Sequence, residues 1–244
     1  MIKAVVTGHS RGLGAAVAEN LLAREIAVLG LARSGHPDLA ARSAGRLTEV
    51  ALDLADAAAL VRWLEGGTLA AFAADADTLL LVNNAGLLAP VGILAAQPPA
   101  AVVQAATCNV AAALALATAA AQAVAGRAEL RVLHVSSGAG RNAIAGWSVY
   151  GAGKAALDHH ARTVAADATP GVRICSLAPG VVDTDMQAQI RATPLDDFPL
   201  RGKFEALKAN GGLATPADCA AGVVAHLLSD RFGEAPVADL RELG

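Results

Sequence analysis

A tyrosine and a lysine stand four residues apart in the segment Tyr150-Gly151-Ala152-Gly153-Lys154. On a helix this spacing places both side chains on one face, so the phenol and the ammonium can act together. Protonating the oxygen of a carbonyl group needs an acid whose pKa lies nearer neutrality than the value of about 10 for free tyrosine. We expect the cationic Lys154 to lower the pKa of the Tyr150 phenol. The pair therefore indicates carbonyl chemistry with Tyr150 as the proton donor.

Two more polar residues are candidates for the same site. Ser137 closes the run Val135-Ser136-Ser137 at the predicted carboxyl end of a strand, where its hydroxyl can bond a substrate oxygen. Asn109 stands in an otherwise almost wholly apolar stretch, which is an unusual place for an amide in a helix. Each candidate also has a structural explanation: a capping serine, a half-buried tyrosine, a lysine whose stem packs on apolar surface, and an amide bonded to a backbone carbonyl.

The first apolar run ends in the glycine-rich turn Thr7-Gly8-His9-Ser10-Arg11-Gly12-Leu13-Gly14. Such a turn opens a helix whose N-terminal amides can bind a pyrophosphate. Its spacing differs from the G-x-G-x-x-G pattern of many dehydrogenases. Taken alone, the turn is a weak signal, and the alternative is a tight strand-to-helix connection that binds no ligand.

The second predicted strand ends in Leu31-Ala32-Arg33-Ser34. An acidic residue at this place would bind the ribose of NAD, whereas a basic residue can pair with the 2′-phosphate of NADP. Arg33 and Arg11 are therefore predicted to hold that phosphate by charge-assisted hydrogen bonds, which favours NADPH over NADH. The alternative is that both arginines are solvated surface groups.

Short apolar runs bounded by Gly, Pro, Asn or Ser predict buried parallel strands over residues 2–7, 26–32, 47–52, 79–82, 130–135 and 172–177, with a weak seventh over 237–240. Helical stretches over 12–24, 55–71, 99–125 and 148–167 alternate with them. This alternation predicts an α/β fold: a single Rossmann-type, doubly wound parallel sheet of about seven strands, with helices on both faces.

The chain shows no repeat, linker or shift in composition, which predicts one domain over residues 1–244. Residues 185–213 are richer in charge, Pro and Gly, and they follow the sixth strand, where ligands sit in such sheets. We expect this segment to form a lid over the substrate. Thr215-Pro216 then starts the last helix, with Thr as its cap.

Several classes of protein are excluded by composition. The formal net charge of -3, without a dense run of Lys and Arg, argues against binding nucleic acid or acidic lipid. The three cysteines are too scattered for a disulfide framework or a metal cluster, so no metal is expected. Residues 78–126 carry no charge, but Asn, Gly and Pro interrupt them, which predicts a strand, a loop and a buried helix rather than a membrane span. The start of the chain lacks a secretory pattern, which predicts a cytoplasmic protein.

The chain resembles the short-chain dehydrogenase/reductase family over nearly its whole length. The resemblance rests on the T-G-x-x-x-G-x-G turn, Asn83-Asn84-Ala85-Gly86, the Tyr150 and Lys154 pair, and Pro179-Gly180. It implies an NADPH-dependent carbonyl reductase with a catalytic tetrad in which Asn109 holds a water in a proton relay to Lys154. The implied tetrad is Asn109, Ser137, Tyr150 and Lys154, and the implied cofactor-binding residues are Gly8, Ser10, Arg11, Gly12, Leu13, Gly14, Arg33, Ser34, Asp53, Leu54, Asn83, Ala85, Gly86, Tyr150, Lys154, Pro179, Gly180, Val182 and Thr184.

Within the family, the segments over 146–150 and 179–187 are most similar to the benzil reductase and sepiapterin reductase branch, which implies reduction of a ketone or vicinal diketone. An apolar substrate pocket is expected from Leu88, Ile144, Trp147, Met186 and the lid, although Ile144 and Met186 also suit an ordinary core. Asp239 is a candidate substrate anchor, with an exposed end-of-strand residue as the alternative.

Two other functions remain open. The chain could be a 3-ketoacyl thioester reductase that docks an acidic carrier protein through Arg141, Arg201, Lys203 and Lys208, which otherwise read as a solvated lid surface. It could also bind NADPH without turnover as a sensor or scaffold, which would predict a broken tetrad. The Ala-rich helices around Asn109 and Tyr150 predict burial against a second copy, in a homodimer or homotetramer.

Overall fold

The computed structural model describes residues 1–243 and contains a seven-stranded parallel sheet. Its strands are β1 (Ile2–Thr7), β2 (Ala27–Ala32), β3 (Leu47–Ala51), β4 (Thr78–Asn83), β5 (Glu129–Val135), β6 (Val172–Ala178) and β7 (Val237–Asp239). Their order is β3-β2-β1-β4-β5-β6-β7, so the direction of winding reverses between β1 and β4. Ligands of open parallel sheets bind at the carboxyl ends of the strands at such a reversal.

Helices cover both faces of this sheet, so the strands are apolar on both sides. On one face α1 (Gly12–Ala23) and α10 (Pro216–Leu228) pack through residues such as Leu21 and Leu227. On the other face α6 (Ala112–Val124) and α7 (Ser148–Ala166) pack through residues such as Leu116 and Ala161. The predicted α/β, doubly wound sheet is confirmed. The remaining helices are α2 (Pro37–Arg42), α3 (Ala57–Glu65), α4 (Thr68–Ala73), α5 (Pro99–Ala106), α8 (Asp185–Ala192) and α9 (Arg201–Ala209).

The prediction of one continuous helix over 55–71 is wrong, because two shorter helices, α3 and α4, occupy that stretch. Gly67 separates them with a φ of +76°, a left-handed conformation that favours glycine. Asp56 caps α3 by accepting a hydrogen bond from the Ala59 N–H at 2.9 Å. Asp53 accepts from the Ala55 N–H at 2.9 Å, just before this helix.

The helix predicted over 99–125 is interrupted by a π-helical turn, Thr107–Ala111, between α5 and α6. Such turns are rare and recur at functional sites. By length and composition alone, the stretch Pro99–Val124 is apolar enough to cross a membrane. In this fold its inner side packs against β4, β5 and α7.

The predicted lid contains two helices that the sequence analysis did not predict, α8 and α9. Val182 and Ala214 pair in a single parallel bridge that joins the two ends of the lid. Lys208 adds an ion pair with Asp183 near the same place. Thr215 caps α10 as predicted, accepting from the Asp218 N–H at 3.1 Å. The lid is thus fixed at its base and lies over the carboxyl ends of the strands.

Candidate active site

A cavity of about 1080 Å³ opens at the carboxyl ends of β1, β2, β5 and β6, beneath α8 and α9. It lies at the reversal of strand order, where the fold is expected to bind ligands. Its volume is at the upper limit of the ~300–1,000 Å³ of pockets for drug-sized ligands, which leaves room for a dinucleotide. The predicted cofactor residues that line it are Gly8, Ser10, Arg11, Gly12, Leu13, Gly14, Arg33, Ser34, Asp53, Leu54, Ala85, Gly86, Tyr150, Lys154, Pro179, Gly180, Val182 and Thr184.

The glycine turn has the geometry that a pyrophosphate needs. Gly8 and Gly12 adopt φ values of +69° and +56°. A Cβ on Gly14 would lie 2.2 Å from the carbonyl oxygen of Gly8, so the turn cannot close with a larger residue. Arg11, the N-cap of α1, makes no side-chain hydrogen bond to the first amides of the helix. These amides are therefore available to an anion.

The two arginines expected to hold the 2′-phosphate differ in their surroundings. Arg33 is exposed at the cavity edge beside Ser34 and forms no ion pair with any residue in 1–243. Arg11 is already paired, because its Nη1 lies 3.2 Å from Oδ2 of Asp185 at the start of α8. In this structure Arg33 is the arginine of the two that is available for a phosphate.

His9 of the glycine turn has a structural role that the sequence analysis missed. Its ring is fully buried against Gly30, and its Nε2 lies 2.8 Å from Oε1 of Glu49 on β3. The same carboxylate accepts from the His36 N–H at 2.6 Å. Desolvation raises the pKa of Glu49, but the hydrogen bonds from His36 and His9 outweigh it and hold the pKa below its usual value. This cluster anchors the loop that carries Arg33.

Asn83, predicted to bind the cofactor, does not line the cavity and instead satisfies buried groups of the fold. Its Nδ2 donates to the Ala113 carbonyl at 3.1 Å and lies 3.2 Å from Nδ1 of His134, inside the fold. Successive side chains of a strand point to opposite faces, so its neighbour Asn84 takes the place on the cavity wall. Asn84 Nδ2 donates to the Thr7 carbonyl at 2.9 Å. It thereby ties β4 to the glycine turn.

Tyr150 and Lys154 lie on one face of α7, and both line the cavity although little of either is exposed. Burial raises the pKa of the Tyr150 phenol, and the Ser137 side chain offsets part of that rise. This direction is opposite to the one expected from Lys154. The lysine Nζ lies 5.6 Å from the centre of the tyrosine ring and donates to the Val135 carbonyl at 2.6 Å. Burial also lowers the pKa of Lys154 to about 8, so its charge is only partly retained above neutrality.

Ser137 stands at the end of β5, as predicted, on the same cavity wall as Tyr150. Its Oγ accepts from the Ala139 N–H at 3.2 Å and so caps the 3-10 turn Gly138–Gly140. The structural explanation for this serine therefore holds. It leaves the hydroxyl proton free to be donated to a substrate oxygen.

Asn109 lies in the π-helical turn, with its side chain buried. Its Oδ1 accepts from the Leu87 N–H at 2.7 Å, and its Nδ2 donates to the Leu87 carbonyl at 2.8 Å. The amide thus clamps the segment after β4 from behind and does not itself line the cavity. A Cβ on Gly86 would lie 3.5 Å from Asn109 Oδ1 and 3.7 Å from Lys154 Nζ, so both polar groups approach this glycine.

A buried carboxylate behind the site also escaped the sequence analysis. Asp158 is 1% exposed, and its Oδ1 accepts from Ser136 Oγ at 2.6 Å and Ser176 Oγ at 2.7 Å. Its Oδ2 lies 3.2 Å from Nε of Arg141, which donates to the Ala238 carbonyl through Nη2. One carboxylate therefore joins α7 to the ends of β5, β6 and β7. Its three partners are 17 to 22 residues away in sequence, which is why no local pattern indicates it.

The four predicted apolar residues of the substrate pocket, Leu88, Ile144, Trp147 and Met186, all line the cavity. Trp147 stacks on Phe198 of the lid with ring centres 4.7 Å apart and planes 9° from parallel. Phe204 of α9 lies against both rings. The lid therefore closes on the body of the fold through an aromatic cluster of Trp147, Phe198 and Phe204.

Gly146 permits this contact. It adopts a φ of +83°, and a Cβ there would lie 2.3 Å from the carbonyl oxygen of Asp197 in the lid. No other residue type fits so close an approach without displacing the lid backbone.

Asp239 is neither of the two things expected of it, a substrate anchor or an exposed residue. It is 6% exposed and does not line the cavity. Both carboxylate oxygens are bound by Arg241, through Nε at 2.8 Å and Nη2 at 2.6 Å. The hydrogen bond from Arg241 lowers the pKa of Asp239. Arg241 is the residue of this pair that faces the cavity.

Within residues 1–243, no group of three or more His, Cys, Asp and Glu side chains is arranged to hold a metal ion. The three cysteines are free and buried. Burial raises the pKa of Cys175 to about 12 and that of Cys219 to about 11, so both remain neutral thiols near neutral pH. Cys108 is the one of the three that lines the cavity, and burial also raises the pKa of its thiol.

A protein-family model described as short chain dehydrogenase matches residues 3–195. The chain is 31% identical over 245 residues to a benzil reductase ((S)-benzoin forming) of Bacillus cereus, with 98% of each chain covered. It is 34% identical over 242 residues to the sepiapterin reductase of Meriones unguiculatus, with 93% of this chain and 92% of the relative covered.

Two solved structures extend the comparison. A short-chain dehydrogenase/reductase from Burkholderia vietnamiensis is 51% identical, with a TM-score of 0.73 and coverage of 100% of this chain and 98% of the other. A short chain dehydrogenase from Burkholderia cenocepacia J2315, in complex with NADP, is 25% identical, with a TM-score of 0.76 and coverage of 96% and 94%. The chain belongs to the short-chain dehydrogenase family of oxidoreductases, which bind nicotinamide cofactors, and resembles its benzil and sepiapterin reductases.

Proposed function

We propose that the protein reduces a ketone or vicinal diketone with NADPH, with Tyr150 as the proton donor. The observation that carries the proposal is the convergence of Ser137, Tyr150 and Lys154 on the wall of the cavity that the glycine turn opens. The relatedness to benzil and sepiapterin reductases supports the choice of carbonyl.

The chain's own residues account for the proton side of the reaction. The bound NADPH would supply the hydride that reduces the carbonyl carbon. The Ser137 hydroxyl donates a hydrogen bond to the carbonyl oxygen and fixes its position. The Tyr150 phenol, kept protonated by burial, then transfers its proton to that oxygen. Lys154, held by the Val135 carbonyl, places a positive charge near the phenolate that results.

The preference for NADPH rests on Arg33. Its guanidinium stands at the end of β2 without an ion pair among residues 1–243, and no carboxylate occupies that position. A solved relative in complex with NADP supports the same choice. Arg33 would hold the 2′-phosphate, while the amides at the start of α1 would hold the pyrophosphate.

Initial rates with a panel of substrates test the proposal. Oxidation of NADPH and NADH is followed with benzil, a simple aryl ketone and an acetoacetyl thioester, using Tyr150→Phe as the inactive control. Fast NADPH-dependent reduction of benzil, lost in Tyr150→Phe, is the expected result. A preference for the thioester would favour the 3-ketoacyl reductase instead, and inactivity towards all three would favour a sensor or scaffold.

The basic residues considered for docking a carrier protein give that alternative little support. Arg141 is bound to Asp158, and Lys208 is bound to Asp183. Arg201 forms a salt bridge with Glu205 on the same helix. Lys203 alone of the four has no ion pair within residues 1–243, and it faces the cavity.

We also propose that the protein assembles as a homodimer or homotetramer. Ile93, Leu94 and Val103, at and near the start of the long apolar helix, are 67%, 82% and 66% exposed. A second copy would remove such a surface from water. Light scattering on the purified protein tests this, and a monomeric mass at micromolar concentration would contradict it.

A further inference from the structure

The charged residues of the cavity wall are distributed unevenly. Of the two carboxylates that residues 1–243 place on the wall, Asp53 accepts from the Ala55 N–H near β3, and Asp185 is paired with Arg11 near the glycine turn. Besides Lys154, the cations on the described wall are Arg11, which is paired with Asp185, Arg33 at the end of β2, Lys203 of the lid, and Arg241. The substrate end of the cavity therefore combines an apolar wall with positive charge at its edge.

Arg241 is held in place by a carboxylate that is itself out of reach of a ligand. Asp239 is buried and binds Arg241 through Nε and Nη2, while its Oδ1 also accepts from the Arg241 backbone N–H at 3.1 Å. The arginine stem lies along Gly180, where a Cβ would stand 3.5 Å from its Cδ. The side chain is 68% exposed, and Nη1 has no acceptor among residues 1–243. This nitrogen is available to a ligand.

Lys203 approaches the same cavity from the opposite side, because it belongs to α9 of the lid. Its ammonium forms no hydrogen bond or ion pair with residues 1–243, whereas Lys208 of the same helix does. An exposed lysine commonly stays solvated, but here its charge supplements that of Arg241, which Asp239 partly neutralises.

We propose, resting on the reductase activity proposed above, that the natural substrate is an oxo acid: an apolar body that carries both the reacting carbonyl and a carboxylate. The carboxylate binds Arg241 and Lys203, the body packs on Trp147 and Met186, and the carbonyl reaches Ser137 and Tyr150. Guanidinium groups bind carboxylates by short, charge-assisted hydrogen bonds, which a neutral diketone cannot accept with equal strength.

Matched acid and ester substrates test this. The wild-type protein is assayed with NADPH against benzoylformate and 4-oxo-4-phenylbutanoate, each beside its methyl ester. The two acids differ in the distance between carbonyl and carboxylate, so the series also measures how far Arg241 lies from the reacting carbon. We expect at least one acid to exceed its ester in kcat/KM by about tenfold or more, mainly through a lower KM.

Variants then assign the effect to the cavity. Arg241→Gln alone would leave Asp239 buried and unpaired, so the double variant Arg241→Gln with Asp239→Asn is the main test. It should lose about tenfold in kcat/KM for the acid and little for the ester, and Lys203→Gln should show a smaller loss of the same kind. The matched control is the double variant Arg231→Gln with Glu234→Gln, which also removes one charge of each sign from an exposed pair.

The outcomes separate the two proposals. Wild-type protein that reduces both esters as well as or better than the acids overturns the oxo-acid proposal and leaves the reductase intact. An equal loss in the Arg231 and Glu234 control and in the Arg241 and Asp239 variant also overturns it, because the effect would then not depend on the cavity. Failure to reduce any of the four compounds, or benzil, overturns both.

Discussion

Burial lowers the pKa of the Lys154 ammonium to about 8, and the negative charge of Asp158, one turn further along α7, acts in the opposite direction and raises that pKa. The same carboxylate binds Ser136, the residue before Ser137, at 2.6 Å. Asp158 is thus a positioning residue. Its charge acts on the Lys154 ammonium, and its hydrogen bond to Ser136 holds the strand end that carries Ser137.

Asp158→Asn should move the basic limb of the pH profile to lower pH. Without the carboxylate the pKa of Lys154 falls further, so the ammonium loses its proton at a lower pH than in the wild-type protein. The wild-type kcat/KM for reduction should fall above about pH 8, and the variant's midpoint should lie about half a pH unit or more below that. Ser176→Ala is the matched control, because it removes one hydrogen bond from Asp158 but not the charge. An equal shift in both variants would contradict the role.

Tyr150 is the only tyrosine of the chain, so its ionisation can be followed directly. Because burial raises its pKa, the phenolate absorbance should appear only above the value of about 10 for free tyrosine. Tyr150→Phe should show no phenolate band, retain NADPH binding and lose reduction. A phenolate signal near neutral pH in the wild-type protein, or comparable turnover in the variant, would contradict the assigned proton donor.

Arg33→Ala should raise the KM for NADPH by about ten- to a hundredfold and leave the KM for NADH nearly unchanged, because a phosphate partner worth ~1.5–3 kcal/mol is lost. Arg62→Ala, an exposed arginine on α3 away from the cavity, is the control. Steady-state kinetics with both cofactors decide the matter. Equal increases in the KM for NADPH and for NADH would mean that Arg33 does not bind the 2′-phosphate.

Gly146→Ala should displace the lid. The new Cβ would clash with the Asp197 carbonyl, so the KM for the ketone should rise and the lid should become more susceptible to protease. Gly67→Ala is the control: its φ of +76° imposes similar backbone strain, but nothing lies within 4 Å of the added Cβ. Both should lose about 1 kcal/mol or more of stability, and only Gly146→Ala should alter the KM. An unchanged KM in Gly146→Ala would show that the lid tolerates the displacement.

The features that could be predicted are those encoded by nearby residues. The spacing of Tyr150 and Lys154, the glycine turn and the apolar runs specify local structure, and all of them lie where the pattern places them. Asp158 could not be found in this way, because its partners Ser136 and Ser176 lie at the ends of other strands. Arg241 is only two residues from its partner Asp239, but no local pattern shows which of the two faces the cavity. The lid helices were missed since their apolar residues are few and separated by charged ones.

The errors at Asn83 and Asp239 have a common cause. Each stands at a strand end, where a difference of one or two residues decides whether a side chain faces the cavity or the interior. Asn84 and Arg241 face the cavity instead. The face to which a side chain at a strand end points depends on the register with the neighbouring strands, and a short sequence motif does not specify that register.

The number of residues in the π-helical turn Thr107–Ala111, between α5 and α6, sets the direction of the Asn109 side chain. This turn accommodates one more residue than a regular turn would, and each residue of an α-helix advances by about 100°. Deleting one residue from the turn would restore a regular helix. The residues before and after the deletion would then be rotated relative to each other, and the Asn109 side chain would turn away from Leu87. The residues of α6 could repack with little loss, since most are alanine, but the segment behind Gly86 would lose its clamp. In this stretch a deletion is expected to be more damaging than most substitutions, because the number of residues, and not only their identity, orients the amide.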